Sequence, residues 1–343
     1  MRLRASCILL VFILAFPAMF YAKSVPDSLS CQDDCFCTTD MTPAGVMISH
    51  THIKGEWMLS YRHMNTNMQN DYAGVLFGVW NGYGMDPLNM RMDMHMLMVM
   101  HGLTNKLTLM AMFSYNINVM HMFIWPGSIH THAMKMQSAG FGDVKLNVLY
   151  KLLKKKKHQV FFAVGLNLPT GNINIKGSGD GMYPDHRLPY EMQLGSGTFD
   201  AMPGINYLYK GMKLSVGSQM SSVIRAGYNN IGYRFGNEFT FNKWLAYAWD
   251  NHFSSSVRLE SYVTGSVIRN DPDLYLFTEP SSNPNNYGGK KITAFAGTNF
   301  YFRKGKMNGS RIGLEYGIPL YQNLNGIQMT THSSIFISSS INF

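Results

Sequence analysis

From Gly55 to the C-terminus, apolar and polar residues take turns one by one within short segments. A period of two sends neighbouring side chains to opposite faces of a strand, whereas a helix would scatter them around its axis. Val144, Leu146, Val148 and Tyr150 alternate with Asp143, Lys145 and Asn147, and Val160, Phe162, Val164, Leu166 and Leu168 repeat the pattern in the next segment. Arg258 and Glu260 alternate with Val257, Leu259 and Val263, while Arg311, Gly313 and Glu315 alternate with Ile312, Leu314 and Tyr316. Such runs predict strands near 55–68, 91–103, 106–122, 140–153, 158–175, 199–210, 212–226, 231–249, 253–269, 290–303, 310–321 and 327–343.

The connections also alternate. Thr104-Asn105, lysine-rich turns, Asp250-Asn251-His252 and the stretch 304–309 are short, whereas 69–90, 123–139, 176–198 and 270–289 are long and rich in Gly, Asn, Pro and Asp. Short turns on one side and long loops on the other predict an all-β fold, a transmembrane antiparallel up-and-down β-barrel of about twelve strands whose outside meets membrane lipid. A charge facing lipid at mid-depth costs about 2–4 kcal/mol. Glu56, Arg62, Asp143, Lys145, Arg258, Glu260, Arg311 and Glu315 are therefore read as lumen charges.

The ends of the chain add an address. Arg2 and Arg4 precede an apolar run from Ser6 to Tyr21, and Ala22 is a small residue at a cleavage point, which predicts a signal peptide over 1–22 and export to a bacterial outer membrane. A Cys- and His-containing segment over 23–54 then leads into a barrel over 55–343. Ile335, Ile337, Ser339, Ile341 and Phe343 give a C-terminal signature of the kind that barrel-assembly machinery reads, so Phe343 marks that machinery as a partner.

Composition narrows the class. Charged residues make up 14% and aromatic ones 13% of the chain, against about 25% charged in soluble domains. After the signal no apolar run is long enough for a helical span. The formal charge of +9 sits largely in turns such as Lys154 to Lys157, and no basic stripe alternates with stacking aromatics, so nucleic acid is not an expected partner. No nucleophile elbow, phosphate-cradling Gly loop or HExxH is present, and an enzyme is not expected.

Methionine changes the picture, with 27 copies in the chain that cluster most densely between Met41 and Met136, where 18 of them lie. Met90, Met92, Met94, Met96, Met98 and Met100 occupy successive alternate positions and share one face of a strand. Met58 and Met64 share parity with Arg62 on the first strand, and Met110, Met112, Met120 and Met122 share parity with Thr108, Ser114, Asn116 and Asn118 on the third. Those neighbours put the ladder in the lumen, with Asp93 and His95 at the rim; the alternative is a ladder facing lipid. Thioethers are soft, polarisable ligands suited to Cu(I). His95, His130, His132 and the cluster Cys31, Cys35 and Cys37 add imidazole and thiol donors, as does His50-Thr51-His52. Unremarkable alternatives are apolar filler for the methionines, a disulfide for two cysteines and solvated loop histidines. No cofactor is obligatory on this reading, and Cu(I) is a possible cargo.

The runs from His50 to Arg62, Met92 to Met96, Leu107 to Met112, Gly140 to Asp143, Leu168 to Gly171 and Leu188 to Asp200 resemble one family. It is the family of outer-membrane transporters named for the meta-pathway of phenol degradation. The likeness runs from about Val46 to the C-terminus, and Leu188 to Asp200 is its most specific part. The resemblance implies passage of small aromatic compounds and carries over no catalytic residue; the methionine-rich subgroup implies metal handling. The expected function is a pore or transporter for a soft metal ion such as copper, with a channel for small apolar or aromatic compounds as the alternative and a purely structural barrel as a third.

Overall fold

The structure, a computed structural model, describes residues 40–69, 83–124, 133–155, 157–177, 186–276 and 278–343. The expected signal peptide, Cys31, Cys35, Cys37, His130 and His132 lie outside the described residues. The strands are β1 (Trp57–Gln69), β2 (Met85–Gly102), β3 (Leu107–Ile124), β4 (Ala133–Phe141), β5 (Val144–Lys155), β6 (His158–Leu168) and β7 (Phe199–Lys210). They continue as β8 (Leu214–Ala226), β9 (Glu238–Ala248), β10 (Phe253–Thr264), β11 (Gly289–Tyr301), β12 (Arg311–Leu324) and β13 (Thr330–Asn342).

Every pairing is antiparallel, and β1 pairs with both β2 and β13, so the sheet closes. Trp57 and Phe343 exchange backbone hydrogen bonds at this seam, at 2.8 and 2.9 Å. Strands β4 and β5 are one stave broken in two. Tyr115–Phe123 of β3 pairs with β4, and Leu107–Met112 of β3 pairs with β5. The thirteen segments therefore make a closed barrel of twelve staves.

The predicted strands hold along most of the chain, and three boundaries move furthest, by seven residues each. The fourth stave begins at Ala133 rather than 140 and breaks at Gly142–Asp143, where a Cβ on Gly142 would stand 2.5 Å from the Ser114 hydroxyl. Strand β6 stops at Leu168 because Pro169 has no N–H for the ladder, and the chain then turns inward. Strand β9 starts at Glu238, since the Asn229 side chain gathers the N–H groups of Ile231, Gly232 and Tyr233 into a loop.

Outside, Leu146, Val148, Phe162, Val164, Leu166, Leu314, Tyr316 and Ile318 are exposed as a belt. Along β12 this belt runs from Ile312 to Leu320. At about 3.4 Å per residue and a tilt of about 40° that stretch covers roughly 20 Å, close to the apolar band of an outer-membrane barrel. The short turns mark the periplasmic mouth and the long loops the outer one.

Inside, residues 40–56 run through the periplasmic half of the lumen. Arg311 binds the Asp40 carboxylate at 3.0 Å, and the Gly45 N–H donates to Glu315 at 2.6 Å. Arg62 donates to the Val46 carbonyl, and Gln219 donates to the carbonyls of Met47 and Ile48. Arg258 and Glu315 pair at 2.9 Å with both side chains fully buried, and Arg258 also reaches Glu260 and Asn242. The lumen charges thus serve partly as anchors for the chain's own N-terminal segment. Glu56 departs from the expectation: it sits at the periplasmic rim beside His52, at 3.2 Å, rather than along the lumen wall.

Breaking a buried pair strands the remaining charge and costs about 3–5 kcal/mol. Glu315→Ala should therefore lower the temperature at which the heat-modifiable folded band disappears on a gel. An unchanged temperature would refute the burial of this pair.

Candidate functional site: a methionine-lined lumen wall

On β1 to β4 the inward parity is dominated by thioethers. Met58 faces Met100 and Met100 faces Met110; Met98 faces Met112, and Met64 faces Met94. Nearer the outer mouth, Met68 faces Met90, Met90 faces Met120, Met120 faces Met136 and Met122 faces Met134. Directly opposed residues hold their Cβ atoms about 4.5–5.5 Å apart, so these side chains touch across staves. Met58, Met96, Met98, Met100, Met110 and Met112 form a packed periplasmic cluster with Leu149 and Phe161. Met85, Met90, Met120, Met122, Met134 and Met136 form an outer one with Leu188, Met192 and Met329. Met94 packs on the first and Met92 on the second, which joins them into one stripe.

The ladder therefore faces the lumen. Asp93 and His95 point the other way, onto the outer wall, and His95 does not join the methionines. They are tolerated there because they satisfy one another: Asp93 binds Arg91, His63 and Asn65, and the Tyr61 hydroxyl meets His95 Nδ1 at 2.7 Å.

Two cavities flank the outer cluster. A central one of about 280 Å³ is lined by Met94, Met96 and Met112, by Lys145 and Glu191, and below by Met47 of the N-terminal segment. An outer one of about 240 Å³ is lined by Met85, Met136, His186, Leu188 and Glu279. The segment Leu188–Ser196 lies between them, and Met192 of that segment is fully buried in the sulfur cluster. The methionines are thus the material that connects one cavity to the next.

The break in the fourth stave holds that segment in place. Asp143 accepts from the N–H groups of Gly171 and Ser196, both at 2.9 Å, and from Asn167. Gly171 and Gly195 let these chains meet, since a Cβ on Gly171 would lie 2.7 Å from the Gly195 Cα. Asn167 also donates to Asp200, which pairs with Arg225, and Arg225 pairs with Glu238. Asp143, Arg225 and Glu238 line the central cavity together with Met94, Met96 and Met112.

At the outer mouth the turns Tyr190–Met192 and Pro280–Ser282 lie against each other. Burial pushes the Glu191 carboxyl up to about 8, helped by the neighbouring Glu279 charge, and pushes Glu279 up to about 7. The open side of Glu191 faces the central cavity, while Glu279 is buried with Oε1 bound to Ser282 and Oε2 lacking a hydrogen-bond partner.

Met58, Met64, Met92, Met94, Met96, Met98, Met100, Met110, Met112, Met120 and Met122 are brought together on one wall. Sequence reasoning missed Met85, Met134, Met136, Met192 and Met329 as members of the stripe, and missed the N-terminal segment as lumen filling. Met134 and Met136 carry a period-two signal, but Met192 and Met329 reach the cluster from a loop and a distant strand edge. Among the described residues no group of three or more His, Cys, Asp or Glu is placed to hold a metal ion.

This architecture is that of an outer-membrane β-barrel. The chain is similar to an outer membrane channel from Pseudomonas putida F1, with TM-score 0.56 and 14% identity over 86% of this chain and 97% of that one. It is also similar to a mutant of the TodX monoaromatic hydrocarbon channel, with TM-score 0.48 and 13% identity over 88% and 93% of the two chains. A Pseudomonas aeruginosa FadL homologue gives TM-score 0.46 and 11% identity over 84% and 90%. At such identities the likeness establishes the fold alone. No family model matches the chain and no curated protein matches it, so the resemblance to the phenol-degradation family rests on the motifs.

The raised carboxyls make the outer cap pH-dependent. Their protonated forms support the packed turns fully only below the ordinary carboxylate value of 4.5, and this support is lost progressively as the pH rises from there through about 7 for Glu279 and about 8 for Glu191. Single-channel conductance should rise between pH 6 and pH 9 as the two charges repel. Glu191→Gln combined with Glu279→Gln should flatten that rise, and a double variant with the wild-type pH profile would exclude this pair as its cause.

Proposed function

We propose that this protein is an outer-membrane channel whose small solute travels along the methionine stripe, and that the solute is a soft monovalent metal ion such as Cu(I). The observation that carries the reading is the continuity of the stripe between the outer and central cavities. Met120, Met122 and Met192 are completely buried there, so among the described residues thioethers fill the wall between the two spaces. A bare ion can be handed between thioethers by rotations of flexible side chains. Conduction asks for several weak sites rather than one tight one, and thioethers supply weak sites in series.

A second reading keeps the channel and changes the solute to a small apolar or aromatic compound. It is favoured by the motif resemblance to the phenol-degradation transporters and by Leu149, Phe161 and Leu188 within the sulfur clusters. A molecule of that size has to displace Leu188–Ser196 to pass. The TodX likeness, which is a channel for monoaromatic hydrocarbons, agrees with this reading in kind but adds only fold to the argument. In either case Phe343 at the barrel seam is proposed as the residue that assembly machinery reads, and the site of action is the outer membrane.

Replacing Met90, Met120 and Met122 together by Leu removes the sulfur while nearly conserving volume and apolarity. In proteoliposomes the metal reading expects Ag(I) entry to fall about tenfold or more, equal to about 1.4 kcal/mol on the barrier, with phenol entry unchanged. Unchanged Ag(I) entry alongside measurable phenol entry would replace the first reading by the second.

A further inference from the structure

His50 and His52 lie where the N-terminal segment meets the periplasmic end of the stripe. The His52 backbone N–H donates to the Thr108 hydroxyl at 2.9 Å, and Thr108 precedes Met110 by one inward position on β3. A Cβ on Gly102, one inward position from Met100, would stand 3.2 Å from the His52 carbonyl carbon. His52 therefore sits one layer below the Met100–Met110 pair.

The two imidazoles are arranged alike. His52 Nδ1 lies 3.2 Å from the Glu56 carboxylate, and His50 Nδ1 lies 3.3 Å from the Asp40 carboxylate and 2.9 Å from the Ser49 hydroxyl. Their ring centroids are 4.8 Å apart, edge to face. A carboxylate at Nδ1 holds the proton on that nitrogen and leaves the lone pair on Nε2, which is how metal-ligating histidines are oriented by their neighbours. His52 is 1% exposed, and its Nε2 is buried without a hydrogen-bond partner. Buried polar atoms are rarely left unpaired, and an unpaired Nε2 on a ring 4.8 Å from a second imidazole points to a ligand.

We propose that His50 and His52 form a two-imidazole site that takes a soft monovalent cation, Cu(I) or Ag(I), from the last thioethers of the stripe. This rests on the metal reading given above and names the place where sulfur ligation gives way to nitrogen. Two neutral imidazoles suit a d¹⁰ ion, which accepts two ligands. The Asp40 and Glu56 carboxylates are offset by Arg311, bound to Asp40, and by Lys210, which acts electrostatically on both Asp40 and His50. The carboxylates act as positioning groups and are not ligands.

The test is Cu(I) binding by the purified full chain carrying Cys31→Ser, Cys35→Ser and Cys37→Ser, the wild-type background of the comparison because those thiols would otherwise take the ion first, with chelator competition for affinity and X-ray absorption for ligand type. Wild type at one equivalent should show imidazole scattering. His50→Ala with His52→Ala should lose it and keep only copper–sulfur scattering. Glu56→Gln, which keeps the fold contacts, should weaken the nitrogen site by roughly 10–100-fold through His52 alone. Sulfur-only scattering in wild type, with the histidine variant unchanged, would overturn this site and leave the methionine path standing. No bound Cu(I) in either protein would overturn both.

Discussion

In hydrocarbon there is no water to satisfy an open backbone, so every N–H and C=O of a spanning strand must find another strand. The β1–β13 seam, with Trp57 and Phe343 exchanging hydrogen bonds, is where that demand is met. Closure leaves side chains only two directions. Each residue on a stave goes to oil or to lumen according to parity, and a shift by one would reverse them all. The methionines of β2 are inside because Leu97 and Val99 are outside, and the third stave enforces the same choice through Phe113 and Ser114.

The barrel then has to fill what it encloses. A lumen of this width would be water throughout if the chain did not reuse its own ends. Residues 40–56 occupy the periplasmic half, held by Arg311, Glu315, Arg62 and Gln219 through their side chains and the segment's backbone. Leu188–Ser196 closes the outer half and is moored to Asp143 at the break in the fourth stave. Charge inside this barrel is therefore mostly structural. Arg258 serves Glu315, Glu260 and Asn242 together, and among the described residues the charged side chains lining the cavities, such as Lys145 and Glu191 of the central one, remain available to a solute.

The sequence disclosed whatever depends on local periodicity. Strand positions and the inward parity of Met58, Met110, Met120, Arg258 and Glu315 all follow from alternation within one stretch of chain. What alternation cannot convey is where a non-strand segment goes. Met192 carries no period-two signal, and it is placed by Asp143, more than one stave away. The inward path of residues 40–56 was equally hidden, because its contacts are backbone groups meeting distant side chains. Asp93 and His95 misled in the other direction: taken singly they argue against a lipid face, but Arg91, His63, Asn65 and Tyr61 complete their hydrogen bonds across the β1–β2 ladder.

Why such a wall should be methionine rather than leucine is a question of what the wall does beyond packing. Leucine would fill the same volume with better-defined rotamers, and an unbranched thioether specifies a core less sharply. A barrel that needed only a dry lumen face would gain nothing from the exchange. The substitution recurs on four adjacent staves, on the inward face of each, and on loop residues that come in to meet them, while the lipid belt is built mainly from Leu, Val, Ile and aromatic residues, with Met220 of β8 among them. Flexibility and a polarisable sulfur are the two properties methionine adds. Both are wasted on a static plug, and both are what a moving, weakly held ion requires.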